Sequence, residues 1–528
     1  MSMNIKRSIL VLVILIIAII HITSFWIIVD DAFISFRYAK NLADGHGLVF
    51  NKGERVEGYT NLLWILFLTP FAYMNLDLAF VSRVSGLIFS MLTLLLITRF
   101  SMKELELKTE LVLLSPLFLV FNPSYATWST GGLETSMFTF LIFALFYISF
   151  LMKSNPRAMK YSYLFSILFM MGFLSRPEGL IFGSILLFWN GLDLFKNYNE
   201  KKGQFFSTVI LSLSGIILWF TWRWFYYGSL LPNHYNVKVN TPVSMIGDGL
   251  VYSSGFLLSM GWYVVLFITI GVLLTGKTRI RGIVTSLIVT QLLFVSWVGG
   301  DFMGKFRFFM PILPFIALLL PISIAGWKRK MDDNWKIKSQ IYIPLITVII
   351  LFRTFAPTTF GDPYQPYFSE DVRKQKILVD EWTSIAHMVS GSVPKGTVIA
   401  ITPAGVVPYY SGMKFLDMYG LTEPNIAKAP GVVVPTRVDP GHTIFNPEYV
   451  VSKKPGIIMG NGRLLKEPGD LSFVVDYFER SFYPPRKLLG DYYPVYQEFN
   501  GRYLNVLCHK SLRKDLANVW KTPEKIWF

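Results

Sequence analysis

The sequence predicts a mostly α-helical, polytopic membrane protein that ends in a smaller α/β domain. Of its 528 residues, 52% are apolar, and the mean hydropathy is +0.45, which is more apolar than soluble enzymes usually are. Apolar runs of about 20 residues, the length that crosses a bilayer, recur up to residue 356. Beyond it these runs stop, and Pro, Gly, Tyr and charged residues occur throughout. We therefore predict a transmembrane helical bundle over 1–356 and a water-soluble domain over 357–528.

The first apolar run, residues 8–29, follows Lys6 and Arg7. Its apolar core is longer than that of a typical signal peptide, and no small-x-small cleavage site precedes Asp30, so we expect an uncleaved anchor. Residues 61–73 are predicted to form a short or re-entrant helix. With the anchor, about 11 crossings are expected from apolar length. The remaining ones fall near 79–98, 111–126, 135–152, 160–174, 179–190, 205–225, 250–274, 280–298, 306–326 and 340–356.

The charge pattern predicts the orientation. A net charge of +16 would suggest a nucleic-acid partner in a soluble protein. Here the basic residues gather in alternate loops, as the positive-inside rule requires, so we expect no nucleic-acid partner. The basic loops are 153–160, 196–202, 276–281 and 327–338. They predict a plasma-membrane protein with a cytoplasmic N-terminus and an extracytoplasmic C-terminal domain.

The predicted C-terminal domain has the pattern of a small α/β fold. Residues 397–401 and 414–420 read as strands, and 377–390 has helical periodicity. Residues 494–510 read as a hairpin that turns at Asn500–Gly501. Cys508 is the only cysteine, so no intramolecular disulfide can form, and the sequence has no Cys/His metal spacing.

Asp30 and Asp31 stand where the first apolar run meets water. An ionised carboxylate is costly in hydrocarbon, so a pair at this position is a candidate for general-base chemistry. Adjacent residues on a helix diverge by about 100°, so one should act as the base and the other should bind or orient. Arg37, close to two turns further on, is a candidate to neutralise one of them. The simpler alternative is that the pair caps a helix starting at Ala32.

Other ionisable, amide and aromatic residues collect in the segments predicted to face outward. Carboxylates and amides beside aromatic rings suit sugars, and cations suit phosphate. The combination predicts a site for a glycosyl phosphate. The alternative for Glu134, Arg176 and Glu178 is that they pair with neighbours or cap half-helices. The predicted substrate-binding residues in these segments are Arg37, Glu57, Tyr59, Glu134, Arg176, Glu178, Asn233, His234, Lys238, Asp301 and Arg307.

An ordered set of motifs carries a family likeness. The motifs are DDAFISFRYAKNLADGHGLVFNKGERVEGYTNLLW (30–64), STGGLETSMFTFL (129–141), RPEGLI (176–181), YYGSLLPNHYNVK (226–238), GGDFMGKFRFFMPILP (299–314), FLDMYGLTEPNIAK (415–428) and PGH (440–442). The set resembles GT-C membrane glycosyltransferases and, more narrowly, the terminal β-(1→2)-arabinofuranosyltransferases.

The resemblance implies a GT-C-like bundle, a polyprenyl-phosphate sugar as donor, and a cell-envelope glycan or glycoconjugate as acceptor, bound with help from the C-terminal domain. Asp30 and Asp31 match the family's acidic pair, and Lys238 matches the lysine that closes the P-N-x-x-x-x-K block. Asp301 with Arg307 matches the G-G-D…R-F block, and His442 matches the P-G-H motif. His234 stands where a small or β-branched residue is expected, which leaves its role open.

The sequence leaves several alternatives open. Direct displacement would invert the anomeric carbon, whereas retention needs a second nucleophilic carboxylate. No cofactor is required, although Asp30, Asp31 and Asp301 carry hard oxygen ligands for an optional divalent metal. The donor sugar, arabinofuranose or another, and the acceptor are open. An oligosaccharide ligase or polymerase is the main alternative, and a transporter or flippase is less favoured because no internal repeat is found.

Overall fold

The computed structural model describes residues 3–105, 107, 109–155, 157–196, 198–239, 244–274, 278–330, 372–429, 431–433 and 444–527. They divide into two compact units. The first unit comprises Met1–Ile27, Ser82–Trp222 and Met245–Glu370, and the second comprises Ile28–Val81, Arg223–Ser244 and Asp371–Phe528. The domain boundary predicted at 356–357 lies outside the described residues. The second unit combines the C-terminal region with two segments from the first half of the chain, Ile28–Val81 and Arg223–Ser244.

The first unit is helical. Its helices, three of which extend into the second unit, are Met3–Ser24, Leu78–Lys103, Thr109–Val112, Leu114–Phe121, Pro123–Trp128, Thr135–Ser154, Lys160–Ser175, Gly179–Lys196, Tyr198–Tyr227, Ser244–Ser259, Trp262–Leu274, Thr278–Trp297 and Leu313–Lys330, with a 3-10 helix at Arg307–Ile312.

Among the described residues, five helices are long and apolar enough to cross a membrane. They are Leu78–Lys103, Thr135–Ser154, Lys202–Tyr227, Arg279–Trp297 and Arg307–Trp327. A sixth span results if Met245–Ser259 and Val264–Leu274, which meet at 81°, form one broken crossing. The chain is thus a multi-pass membrane protein. The count of about 11 crossings stays a prediction, and the predicted span 340–356 lies outside the described residues.

The segment predicted as one span over 111–126 is broken into short helices. One helix ends at Phe121, and the next begins at Pro123. Asn122 adopts an extended conformation, and its side chain accepts a hydrogen bond from the Tyr125 backbone N–H at 3.1 Å. An Asn cap followed by Pro at the first helical position is a strong start signal, and it outweighs the continuous apolar pattern.

The second unit contains the sheet. Its helices are Asp30–Ala43, Leu62–Tyr73, Asn233–Val239, Val372–Ser392, Val406–Ser411, Pro424–Lys428, Pro447–Ser452, Ser472–Arg480 and Arg513–Leu516, with 3-10 helices at Pro485–Gly490 and Lys510–Leu512. Its strands are β1 (Val398–Ile401), β2 (Lys414–Asp417), β3 (Val432–Val433), β4 (Ile444–Phe445), β5 (Ile457–Gly460), β6 (Leu464–Leu465), β7 (Tyr492–Phe499) and β8 (Arg502–His509).

Six of these strands form a mixed sheet in the order β2-β1-β5-β8-β6, with β7 also paired to β8, and β3 and β4 form a separate two-stranded sheet. β1 is parallel to β2 and β5, and β8 is antiparallel to its neighbours. All four residues of β5 are buried, as a strand covered on both faces requires. The predicted strand over 397–401, the helix over 377–390 and the hairpin are confirmed, and the strand predicted over 414–420 ends at Asp417. Asn500 and Gly501 both have positive φ, which a tight hairpin turn needs.

Candidate functional site

Asp30 and Asp31 are the first two residues of the helix Asp30–Ala43. Its N-cap is Val29, and no side chain caps it. The alternative in which the pair caps a helix starting at Ala32 is therefore wrong. The two carboxylates lie in the first turn instead, where the positive end of the helix dipole favours negative charge.

Asp30 is anchored by the C-terminal part of the second unit. Its carboxylate oxygens accept hydrogen bonds from the backbone N–H groups of Val406, at 2.7 Å, and of Gly405, at 3.1 Å. These groups open the short helix Val406–Ser411. A Cβ atom at Gly405 would lie 2.0 Å from the Asp30 carbonyl oxygen, so only glycine allows this approach. Asp30 thus caps a helix 376 residues away in sequence.

The surroundings of Asp30 favour its protonated form. Burial raises the pKa of Asp30 to about 7, although the residue keeps some solvent exposure. The Val406 N–H opposes this shift, and the negative charge of Asp31 adds to it. Asp30 therefore combines an anchoring role with a pKa near neutrality, while Asp31 is partly exposed.

Arg37 does not neutralise the acidic pair, and this prediction is wrong. Its guanidinium is buried and donates to the carbonyls of Phe50 and Met413, each at 2.7 Å, and to that of Pro408. It also donates to the Asn51 side chain at 3.1 Å. Burial lowers the pKa of Arg37 to about 10. The side chain ties the helix Asp30–Ala43 to residues 408–413.

Asn51 covers the edge strand β2. Its side-chain amide donates to the Phe415 carbonyl at 2.8 Å and accepts from the Phe415 N–H at 3.2 Å, as a neighbouring strand would. Lys414 pairs with Glu54 at 2.6 Å on the same edge. The loop after the first helix of the unit is thus bound to the sheet.

Glu57 forms a buried, bidentate ion pair with Arg223, with N···O distances of 2.6 and 2.7 Å. Burial raises the pKa of Glu57, and the Arg223 charge opposes that shift. The Glu57 carbonyl accepts from the Asn233 N–H at 3.0 Å. Tyr59 hydrogen-bonds Tyr227 at 3.0 Å. Glu57 and Tyr59 therefore organise the segment that precedes Asn233.

The helix Asn233–Val239 carries three predicted binding residues. The Asn233 amide donates to the carbonyls of Gly420 and Leu421, at 2.7 and 2.9 Å. His234 is partly buried on the same helix. Lys238 lies one turn further along it. His442 lies outside the described residues.

The other predicted residues lie in the first unit. Arg176 pairs with Glu134 at 2.7 Å and with Glu178 at 2.6 Å. Arg307 pairs with Asp301 in a bidentate arrangement, at 2.6 and 3.1 Å. The guanidinium carbons of both arginines lie 5.1 Å from the Phe308 ring centroid. These five charged residues form one buried cluster around an aromatic ring.

The predicted site residues are therefore divided between the units. Asp30, Asp31, Arg37, Glu57, Tyr59, Asn233, His234 and the helix of Lys238 belong to the second unit. Glu134, Arg176, Glu178, Asp301 and Arg307 belong to the first. In the described part of the chain, no group of three or more His, Cys, Asp or Glu residues is arranged to hold a metal ion.

Sequence reasoning missed Arg223 and Gly405. Arg223 ends a long apolar run, so the rule that selected Arg176 and Arg307 also applies to it. Gly405 carried no signal, because a PAG sequence after a strand is typical of any turn. Its partner Asp30 is visible only after folding.

Comparisons with known proteins agree with this architecture. A family model described as a domain of unknown function, DUF8728, matches residues 370–510. A terminal beta-(1->2)-arabinofuranosyltransferase of Mycobacterium tuberculosis is 26% identical over 268 residues, which are 48% of this chain and 41% of that protein. The Corynebacterium glutamicum protein of the same name is 26% identical over 377 residues, 62% of this chain and 51% of that protein. The chain spans about half the length of these relatives.

Two solved structures share the fold over almost the entire chain. ArnT from Cupriavidus metallidurans, bound to undecaprenyl phosphate, has a TM-score of 0.56 at 10% identity and covers 97% of this chain and 99% of its own. The chain has the GT-C fold. The oligosaccharyltransferase AglB from Archaeoglobus fulgidus, in complex with an inhibitory peptide and a dolichol-phosphate, has a TM-score of 0.53 at 11% identity and covers 96% of this chain and 74% of its own.

The GT-C fold and the two named relatives confirm the resemblance predicted from the ordered motifs. The motif blocks 30–64, 226–238 and 415–428 all lie in the second unit and are joined there by the hydrogen bonds of Asn51, Glu57 and Asn233. These three blocks are far apart in the sequence and are connected to one another in the folded second unit.

Proposed function

We propose that this chain is an integral-membrane glycosyltransferase. It moves a sugar from a polyprenyl-phosphate donor to a cell-envelope glycan or glycoconjugate on the outer face of the membrane. The GT-C fold and the glycosyltransferase relatives support the reaction class. The undecaprenyl phosphate bound to ArnT supports the lipid carrier. The activity named for the two relatives supports arabinofuranose as the first sugar to test.

The observation that carries the proposed chemistry is the anchoring of Asp30. Because both of its oxygens accept backbone hydrogen bonds, Asp30 is a positioning residue. It fixes the first turn of the helix and hence the direction of Asp31, about 100° around the axis. We assign the general base to Asp31. The engagement of both Asp30 oxygens supports this choice between the two carboxylates.

The proposed step is a single displacement. Asp31 takes the proton of the acceptor hydroxyl as the acceptor oxygen attacks the anomeric carbon of the donor. The bond between that carbon and the phosphate oxygen breaks, and the electron pair leaves with polyprenyl phosphate. Attack opposite the leaving group inverts the anomeric configuration. No metal is required by this scheme.

A cation must balance the departing phosphate. Arg176 and Arg307 already pair with carboxylates, which compete with a phosphate for the same donors. Lys238 is therefore our candidate. Its helix is bound to the C-terminal domain through Asn233.

An oligosaccharide transferase is the second candidate, because the fold also matches AglB. The two candidates differ in the donor. The experiment is to supply the purified protein with polyprenyl-phosphate arabinose, mannose, glucose or galactose, or with a lipid-linked oligosaccharide, and a crude envelope glycan, and to measure lipid phosphate release. Turnover of one monosaccharide donor supports the proposal. Turnover of the oligosaccharide alone supports the second candidate, and no turnover with a folded protein contradicts both.

A further inference from the structure

One end of the sheet in the second unit is strongly basic. Segments 395–397, 453–456, 485–492 and 509–515, which we call the basic end, contain eight Lys or Arg residues and two acidic residues, Asp491 and Asp515. Lys395, Lys453, Lys454, Arg513 and Lys514 are all exposed. The positive-inside rule does not explain this charge, because it concerns short loops next to membrane spans.

Direct contacts join the four segments. The Gly456 carbonyl accepts from the His509 N–H at 2.9 Å, and the Pro455 carbonyl accepts from the Tyr492 hydroxyl at 3.0 Å. A Cβ atom at Gly456 would lie 2.5 Å from the Thr397 side chain and 2.7 Å from that of Leu512. The basic residues come from segments that are far apart in the sequence, and the fold brings these segments together on one surface.

Aromatic rings are interleaved with these cations. The charged groups of Lys453, Lys487 and Arg513 lie 4.9, 5.6 and 5.7 Å from the ring centroids of Tyr449, Tyr483 and Tyr493, respectively. An excess of like charges is self-repelling, so a polyanion would relieve the repulsion among these cations. Partly exposed tyrosine rings beside the cations suit the C–H faces of sugars.

We propose that the basic end binds an anionic polysaccharide, a glycan chain bearing carboxylate or phosphate groups. The opposite ends of β1 and β2 lead to Gly405 and Gly420, which contact Asp30 and Asn233. The basic end therefore lies at the end of β1 opposite to Asp30, and the tyrosine rings among its cations favour a sugar polymer over anionic lipid headgroups. This surface is separate from Asp30 and Asp31. A negative result in the binding test would therefore leave the proposed transferase activity unaffected.

The test uses the full chain in nanodiscs of neutral lipid, with polygalacturonate as the probe and dextran of equal length as the uncharged control. The variant Lys453→Glu/Lys454→Glu/Arg513→Glu is compared with the matched variant Lys374→Glu/Lys376→Glu/Lys466→Glu. The control lysines are exposed and lie outside the four segments. Both variants change the net charge equally.

We expect the wild type to bind polygalacturonate and not dextran. The basic-end variant should bind at least about tenfold more weakly, and the control within about threefold of wild type. Affinity should fall with added salt. Equal losses in both variants, or equal binding of dextran, would overturn the proposal. So would binding to phosphatidylglycerol vesicles alone. Melting curves verify folding, and Lys453→Gln/Lys454→Gln should give a smaller loss in the same direction.

Discussion

The carboxylate of Asp30 accepts a 2.7 Å hydrogen bond from the backbone N–H of Val406, which joins the start of the segment after the first apolar run to a helix of the C-terminal domain. Arg37 and Asn51 reinforce this junction through the carbonyls of Met413 and Phe415. The C-terminal domain is thus held to the segment that carries the proposed base. Damage to it should therefore affect chemistry as well as glycan binding.

Gly405→Ala should disturb the position of Asp30, because the new methyl group would lie 2.0 Å from a backbone oxygen. We expect a loss of about 1–3 kcal/mol in stability, and a fall in kcat of up to about a hundredfold through displacement of Asp31. Gly391→Ala is the control, since no atom lies within 4 Å of its added carbon. Denaturation and turnover are measured on both. Equal behaviour of the two variants would contradict the proposed coupling.

Stability should depend on pH through Asp30. Its folded-state pKa of about 7 exceeds the value of about 4 expected in an unfolded chain. A raised carboxyl pKa stabilises the fold fully below pH of about 4, and this contribution is lost as the pH rises to about 7. Melting temperatures of Asp30→Asn should therefore vary less over this window than those of wild type. Identical pH profiles would count against the raised pKa.

Glu57→Gln should destabilise the second unit by about 3–5 kcal/mol, because Arg223 would keep a buried charge without its counter-ion. The double variant Glu57→Met/Arg223→Met removes both charges and should recover most of the loss. Chemical denaturation of the three proteins measures this difference. A double variant no more stable than Glu57→Gln would show that the pair does more than balance charge.

Lys238→Ala should raise KM for the donor at least about tenfold while changing acceptor KM little, because a lost cation weakens phosphate binding. Lys238→Arg should retain part of the affinity. Lys40→Ala, an exposed lysine in the same unit, is the control. Initial rates over both substrate concentrations give the two constants. An unchanged donor KM would remove Lys238 from the phosphate site.

Much of the fold follows from local sequence signals. The hairpin at Asn500–Gly501 and the strand over 397–401 were predictable because their patterns are short and specific. The break at Asn122 was missed because an apolar run conceals a cap that acts through one side chain. Residues 28–81 were assigned to the membrane bundle by their position in the chain, but they pack with the C-terminal domain through long-range contacts that no periodicity reveals.

The sequence identified many of the charged residues of the candidate site, but not the partner with which each of them interacts. Asp30, Glu57, Arg176 and Arg307 were selected as costly charges near a membrane, and each has a buried or partly buried polar partner. The identity of the partner depends on folding. Arg37 shows the limit of prediction from helical spacing. Its spacing suggested an ion pair with Asp30 or Asp31, whereas its guanidinium donates to backbone carbonyls.

The most direct test is polyprenyl phosphate release from the accepted sugar donor by wild type, Asp31→Asn and Asp30→Asn in nanodiscs, with folding verified by melting. We expect Asp31→Asn to lose about a hundredfold or more in kcat with little change in donor KM, as removal of a general base predicts. Asp30→Asn should retain measurable turnover. Wild-type rates in Asp31→Asn would contradict the assignment of the base and the account built on the anchoring of Asp30.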